Sequence, residues 1–498
     1  MQNNRQESYA ALDLGSNSFH LLVAAIHEDQ LQIVDKHKEM VRLAAGFDVN
    51  NQLTTAKQSE ALACLSRMGQ RISHLPATHV RILGTNALRM AANSRDFLRK
   101  ARELLGHPVD VISGREEARL LYLGVAHTLP TQPGSRLVMD IGGGSTELIL
   151  GNNFNAEITE SLHMGCVSMS LKYLGNGQLS ASGWEKARTA ALLELQPVLD
   201  SYASHKWVEA IGASGTFKAI ARVLQQEGWS EFGISREGLQ QLKQRILSGS
   251  EIDQVTLNGL EKERRPVFAG GVAIVEALFD AFDLTQVNIA EGALREGVVY
   301  DLAGRLHHND IRERSVSSLA ERFNVDEAQA NRVAAVVNRL VVNSESLELE
   351  HEDSEMLYWA ARLHEIGLTI SHSNFQKHGA YLIQHADIPG FSKQEQNLLG
   401  FLVLAQRRKF PAHAYAELNA DQRMAALKPC VILRLALLLC RNRHDPDVSM
   451  IQLLWKEGVF TLGSPEGWLE SNPLYRADLK QEQKYLRRAD IELTIRQN

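Results

Sequence analysis

Two short stretches of this chain say nearly the same thing, and together they constrain its architecture more than any other feature. Asp13-Leu14-Gly15-Ser16-Asn17-Ser18 follows the apolar Ala10-Ala11-Leu12 and runs into Phe19-His20-Leu21-Leu22-Val23. Asp140-Ile141-Gly142-Gly143-Gly144-Ser145-Thr146-Glu147 follows Leu137-Val138-Met139 and runs into Leu148-Ile149-Leu150. Each reads as strand, tight turn, strand. Glycine lacks a Cβ and accepts φ > 0, so successive backbone N–H groups in such a turn can converge on an anion, with Ser and Thr hydroxyls as added donors. The acid at each entrance would repel a bare phosphate, which calls for a divalent cation between them, Mg²⁺ held partly through water. The two stretches lie 127 residues apart, about the size of a small α/β domain. That repeat predicts duplicated domains facing each other across a cleft. An ordinary hairpin needs only one or two turn residues, not the whole set of acid, glycines and hydroxyls.

The bulk properties narrow the partners. A chain of 498 residues is too long for one core, and three or four domains are expected. A net charge of −6 gives no global attraction for a polyanion, so nucleic acid is not expected and any anionic substrate must be drawn by a local basic surface. Cys64, Cys166, Cys430 and Cys440 have no metal-type spacing and suggest a reducing compartment. The opening residues 1–8 are polar, without a signal-peptide apolar region, and the apolar stretch 431–440 is interrupted by Arg434 and too short to span a bilayer. A cytoplasmic protein is the expectation.

Along the first repeat, His79-Val80-Arg81-Ile82-Leu83 reads as a strand entering Gly84-Thr85-Asn86-Ala87-Leu88-Arg89, where a helix starts and Arg89 could reach a phosphate or make a surface ion pair. After the strand Val109-Asp110-Val111-Ile112, Ser113 and Glu116 have capping-box spacing, which occupies Glu116 with structure. Glu117 points about 100° further around the helix, free to face the cleft as a general base. In the second repeat, Gly212-Ala213-Ser214-Gly215-Thr216 between a strand and a helix start forms a third anion site at a positive helix end. Phe268-Ala269-Gly270-Gly271 reads as a glycine corner before a helix over 272–279, and Arg295 as a residue that binds substrate or, the preferred reading, pairs with Glu291 or Glu296.

From about residue 306 the apolar spacing becomes helical almost throughout. His364-Glu365, His372 and His378 invite a metal reading, but Glu365 replaces the aspartate of the usual His-Asp pair, and capped or packed histidines are the default. From about residue 445 strand signals return in a small α+β tail. No Walker-type lysine follows the glycine-rich turns, and no Ser-His-Asp set has a sensible context. Metal-assisted phosphoryl transfer to water remains.

These residues resemble a known family over essentially the whole chain. The two Asp-x-Gly turns, Ile112-Ser113-Gly114-Arg115-Glu116-Glu117-Ala118-Arg119, Gly212-Ala213-Ser214-Gly215-Thr216 and Gly292-Ala293-Leu294-Arg295-Glu296-Gly297 are similar to the exopolyphosphatase and guanosine pentaphosphate phosphohydrolase family. That family belongs to the actin, sugar-kinase and Hsp70 ATPase fold superfamily. The resemblance implies an α/β fold of two duplicated actin-like (ribonuclease H-like) domains around a cleft, 1–125 and 126–305. An all-α HD-like domain, 306–444, and a small α+β C-terminal domain, 445–498, follow. It implies Glu117 as the base and Mg²⁺ on Asp140 and Glu147, with Asp13 as a further ligand. Phosphate would be held by Gly15, Ser16, Asn17, Ser18, Arg89, Gly142, Gly143, Gly144, Ser145, Gly212, Ser214, Gly215 and Thr216. A homodimer is implied, and a monovalent cation such as K⁺ and a weak peripheral contact with the inner membrane are left open. Met164-Gly165-Cys166-Val167-Ser168 and Leu363-His364-Glu365-Ile366-Gly367-Leu368 look more like the long, four-domain exopolyphosphatases, so release of terminal orthophosphate from polyphosphate is the leading expectation. Arg407-Arg408-Lys409, Arg441 and Arg443 are its candidate polyphosphate track, which should respond steeply to salt. Hydrolysis of the 5′ γ-phosphate of guanosine pentaphosphate is the alternative, and a non-catalytic phosphate or nucleotide sensor a second one.

Overall fold

The computed structural model describes residues 7–27, 30–130, 133–175, 179–306, 310–344 and 346–497, so positions 1–6 of the polar opening lie outside it. The chain divides into two compact units, Met1–Asp310 and Ile311–Asn498.

The first unit holds two sheets built to one plan. β1 (Ser8–Leu14), β2 (Phe19–His27) and β3 (Gln30–Glu39) form an antiparallel meander, and β4 (Val80–Gly84) and β5 (Asp110–Val111) add in parallel on the other side of β1. The order is β3-β2-β1-β4-β5. β6 (Ser135–Ile141), β7 (Thr146–Asn152) and β8 (Asn155–Leu162) repeat the meander. β9 (Trp207–Gly212) joins β6 in parallel, and β10 (Ile234–Ser235) and β11 (Gln286–Ile289) complete the order β10-β11-β9-β6-β7-β8. β1 and β6 are covered on both faces, which is why they read as nearly unbroken apolar runs. Each meander turns through four residues, 15–18 and 142–145, so the two phosphate-type loops occupy the same place in the two halves.

Glycines set how closely the helices pack. A Cβ on Gly124 would fall 2.0 Å from Ala293 O and one on Gly297 1.7 Å from Leu120 O, so only glycine lets the helices Gly114–Thr128 and Leu294–Leu306 meet. Gly270 and Gly271 are not a corner. They lie inside the helix Arg265–Ala281, where a Cβ on Gly270 would meet Ser170 N at 2.7 Å. Close approach to the helix Cys166–Tyr173, rather than a turn, requires them.

The second unit is helical from Ile311 to Leu439 and ends in the three-stranded sheet β12 (Gln452–Lys456), β13 (Val459–Ser464) and β14 (Glu492–Gln497). One hydrophobic core includes both Leu357, Leu402 and Ile432 of the helices and Phe460, Leu462 and Leu493 of the sheet. Arg434, the charge inside the apolar stretch, is almost fully buried and forms a two-pronged pair with Glu482 while donating to the carbonyls of Ala405 and Arg408. No helix among the described residues is long and apolar enough to cross a membrane.

Candidate active site

The two turns face each other in one cleft of about 350 Å³ within the first unit. A Cβ built on Gly143 would lie 3.2 Å from Cβ of Ser16, so the glycine lets the tips meet. The N–H groups of Ser16, Asn17 and Gly143, which line the cleft, have no acceptor among the described residues and are available to an anion. That of Gly142 is already taken, since it closes its own turn onto Ser145 O at 2.9 Å.

Carboxylates crowd the same cleft. Asp13 and Asp140 are pushed up to about 7, by burial first and then by the charge of Glu117, and Asp13 also feels Asp140. Glu147 lies directly across the β6–β7 ladder from Asp140 and is raised well above the usual carboxylate range, again by burial, then by Glu117 and Asp140. It is fully buried behind the cleft wall, with Oε1 accepting from Ser161 at 2.9 Å. Its Oε2, like Asp13 Oδ1, is buried without a hydrogen-bond partner. Buried acids left like this are expensive unless a cation compensates them. No group of three or more His, Cys, Asp or Glu side chains among the described residues cages a metal by itself. Mg²⁺ does not need such a cage, because it keeps several waters and uses one or two carboxylates plus substrate phosphates. The donor set therefore fits that ion.

Glu117 sits in the first turn of Gly114–Thr128, whose N-cap Ser113 accepts from Glu116 N at 3.2 Å. Glu116 is occupied with structure, accepting two hydrogen bonds from Arg119, and Glu117 lines the cleft. Arg89 does not reach the cleft. Its guanidinium donates to Glu117 Oε2 at 2.8 Å and to Ile112 O at 2.9 Å, so it orients that acid. Gly144 and Gly212 are likewise not lining residues. Space beside Gly144 is filled by the Asn86 amide, and Gly212 ends β9, where a Cβ would fall 2.3 Å from the Phe217 ring. Ser214, Gly215 and Thr216 do line it, but two hydroxyls are committed. Ser214 Oγ caps the helix Gly215–Gln226 at Thr216 N and Phe217 N, and Thr216 Oγ1 donates to Ile141 O at 3.0 Å. Ser145 lines the cleft and is nearly fully buried beside the Glu147 carboxylate.

A second neighbourhood of the cleft is basic, and of its residues only Arg295 stands out in the sequence. Lys38, Arg264 and Arg295 line the cleft around His20. Lys38 is held below its ordinary value by burial, then by Arg264, and by Arg295 as well. Arg264 packs on Gly215 at the positive end of a helix, where a guanidinium is unfavourable until an anion joins it. Arg295 does not pair with Glu291 or Glu296. Glu291 takes Lys218, Glu296 takes Ala293 N, and Arg295 Nη1 donates to His20 Nδ1 at 3.1 Å. Lys38 faces His20 across β2–β3, which becomes visible only once the register is known. Arg264 carries no local signal at all.

In the second unit His364 is buried, with Nδ1 on Ala361 O at 2.7 Å, and Glu365 pairs with Arg443. Of the proposed track, Arg441 is held by Asp478 and Arg443 by Asp326 and Glu365, which leaves neither a free cation. Arg407 lies 5.0 Å over the Phe375 ring.

Comparison with known proteins agrees with this architecture. Residues 22–306 match the model of the Ppx/GppA phosphatase family and residues 311–483 that of Ppx/GppA phosphatase, domain III. The chain is 38% identical over 476 residues to a Vibrio cholerae protein named guanosine-5′-triphosphate,3′-diphosphate pyrophosphatase, covering 95% of both chains. An exopolyphosphatase from Cytophaga hutchinsonii shares the fold at TM-score 0.55 and 23% identity, over 60% of this chain and 98% of that one. The Aquifex aeolicus Ppx/GppA family member does so at TM-score 0.51 and 21% identity, over 61% and 99%. With two actin-like domains closing on a cleft of glycine turns and buried acids, this chain belongs to the Ppx/GppA phosphatase family and is a hydrolase of phosphoric anhydrides.

Proposed function

We propose that this protein removes the 5′ γ-phosphate of guanosine pentaphosphate, leaving the tetraphosphate. The observation that carries this reading is the match along 95% of both chains to the Vibrio cholerae protein of that name, which favours the nucleotide over the polyphosphate expected from the subfamily stretches. The cleft is compatible with it: one neighbourhood gathers acids for a metal-bound phosphoryl group, and Lys38, Arg264 and Arg295 gather charge for a further anionic group of the same small substrate. The loss of Arg441 and Arg443 to ion pairs weakens the case for a long polyphosphate track.

In the proposed mechanism the free N–H groups of Ser16, Asn17 and Gly143 hold the γ-phosphoryl oxygens. Asp13, Asp140 and Glu147 are the residues that would hold Mg²⁺, which when bound supplies charge to those oxygens. Glu117, oriented by Arg89, takes a proton from the attacking water. The water oxygen bonds to the γ-phosphorus, the bridging P–O bond breaks, and the tetraphosphate leaves with the electron pair. Four buried free cysteines support a cytoplasmic setting for this reaction, and a homodimer belongs to the same reading. Phosphate release with Mg²⁺ from guanosine pentaphosphate and from long-chain polyphosphate, side by side on one preparation, tests it. A kcat/KM at least tenfold higher for the nucleotide is expected. The reverse preference restores the exopolyphosphatase reading, and tight binding of either without turnover would leave only a sensor.

A further inference from the structure

Ser18 and Ser145 occupy equivalent places in the two turns, yet their hydroxyls lie beside groups of opposite kind. Ser145 lies beside the Glu147 carboxylate, a group that only accepts when ionised. Ser18 Oγ lies 2.6 Å from His20 Nε2, and His20 Nδ1 lies 3.1 Å from Arg295 Nη1. A guanidinium only donates, so Nδ1 of His20 must accept, its ring proton must sit on Nε2, and Nε2–H must donate to Ser18 Oγ. The Ser18 proton is then left with no acceptor among the described residues, on a side chain that lines the cleft.

We infer that Arg295 and His20 are positioning residues that act through Ser18, a directed hydrogen-bond relay whose output is a hydroxyl donor presented to the substrate phosphoryl group. The relay rests on the reading of Ser18 as a phosphate contact. Its surroundings agree with it: burial, then Arg295, Lys38 and Arg264, pushes His20 down to about 2, so the ring stays neutral and passes on orientation, not a proton. The cross-strand position explains how one ancestral turn became two devices. The residue directly opposite the entrance acid is His20 in the first hairpin and Glu147 in the second. The serine two positions earlier therefore lies beside an imidazole in the first hairpin and a carboxylate in the second.

A double-mutant cycle on phosphate release tests the relay. His20→Phe in the wild-type background is expected to lower kcat/KM about tenfold, while His20→Gln, whose amide N–H replaces Nε2–H, recovers most of it. In a Ser18→Ala background His20→Phe is expected to cost less than about twofold, because the relay's output is already gone. An equal loss in both backgrounds overturns the relay and makes His20 a packing residue. Ser18→Ala without any effect instead overturns the reading of Ser18 as a phosphate contact, a different failure. Long-range ¹H–¹⁵N correlation of His20 in the full chain gives a readout that packing does not move. A proton on Nε2 with Nδ1 unprotonated supports the relay, and the opposite tautomer overturns it.

Discussion

The two hairpins of the cleft are the same object twice in shape and different objects in polarity. Both run from an acid through a four-residue turn into a serine and a returning strand, and their tips touch at Gly143 and Ser16. Across from Asp13 stands His20, neutral and surrounded by cations, whereas across from Asp140 stands Glu147, fully buried with one oxygen unpartnered. Duplication therefore supplies the cradle, and the cross-strand partner decides what the cradle offers. The first hairpin presents hydrogen-bond donors and the second stores negative charge that a cation would relieve.

That comparison can be tested where the halves meet. Glu117 influences both entrance acids, so Glu117→Gln should reduce phosphate release by about 10²–10⁴-fold with the melting temperature essentially kept. Turnover within tenfold of wild type would place the base elsewhere. A sharper test separates the hairpins. Glu147→Gln should raise the Mg²⁺ concentration for half-maximal rate by about 10–100-fold. The corresponding change on the other side, His20→Gln, should move it by less than about threefold. If the two variants behaved alike, the division into a donor side and a cation side would be wrong. The smallest effect is thermodynamic: Mg²⁺ at ten times its Kd should add about 1.4 kcal/mol of protection. Hydrogen exchange on the full chain, with and without a chelator, should find it in 135–152 and not in the helix Ala420–Leu439 of the second unit. Equal protection in both places would mean that the ion acts on the chain generally.

Much of this architecture was legible because it follows from short-range rules. Turn chemistry at 15–18 and 142–145, apolar runs before and after, and a capped helix carrying Glu117 are all nearest-neighbour statements. The same rules misread Gly270 as a corner and gave no sign of the close packing at Gly212. A glycine that prevents a clash with Phe217 or Ser170 looks, in sequence, like a glycine that makes a turn. Arg89 shows the same limit, since it donates to Glu117, 28 residues away, a partner that local spacing does not reveal. In the helical unit, Arg434 reads as an interruption until Glu482 is brought beside it.

By itself the sequence determined that the chain repeats a strand-turn-strand cradle, that an acid guards each copy, and that a helix-borne glutamate follows the first. Those features depend on backbone sterics and on residues a few positions apart, and they survive any tertiary arrangement. Only the folded chain decided that Ser18 meets His20 and His20 meets Arg295, which acids are left without partners, and that Lys38, Arg264 and Arg295 share one neighbourhood. Hydrogen-bond direction and charge compensation depend on the nearest partner in space. Strand register and packing choose that partner from residues up to 275 positions apart, as they did for His20 and Arg295.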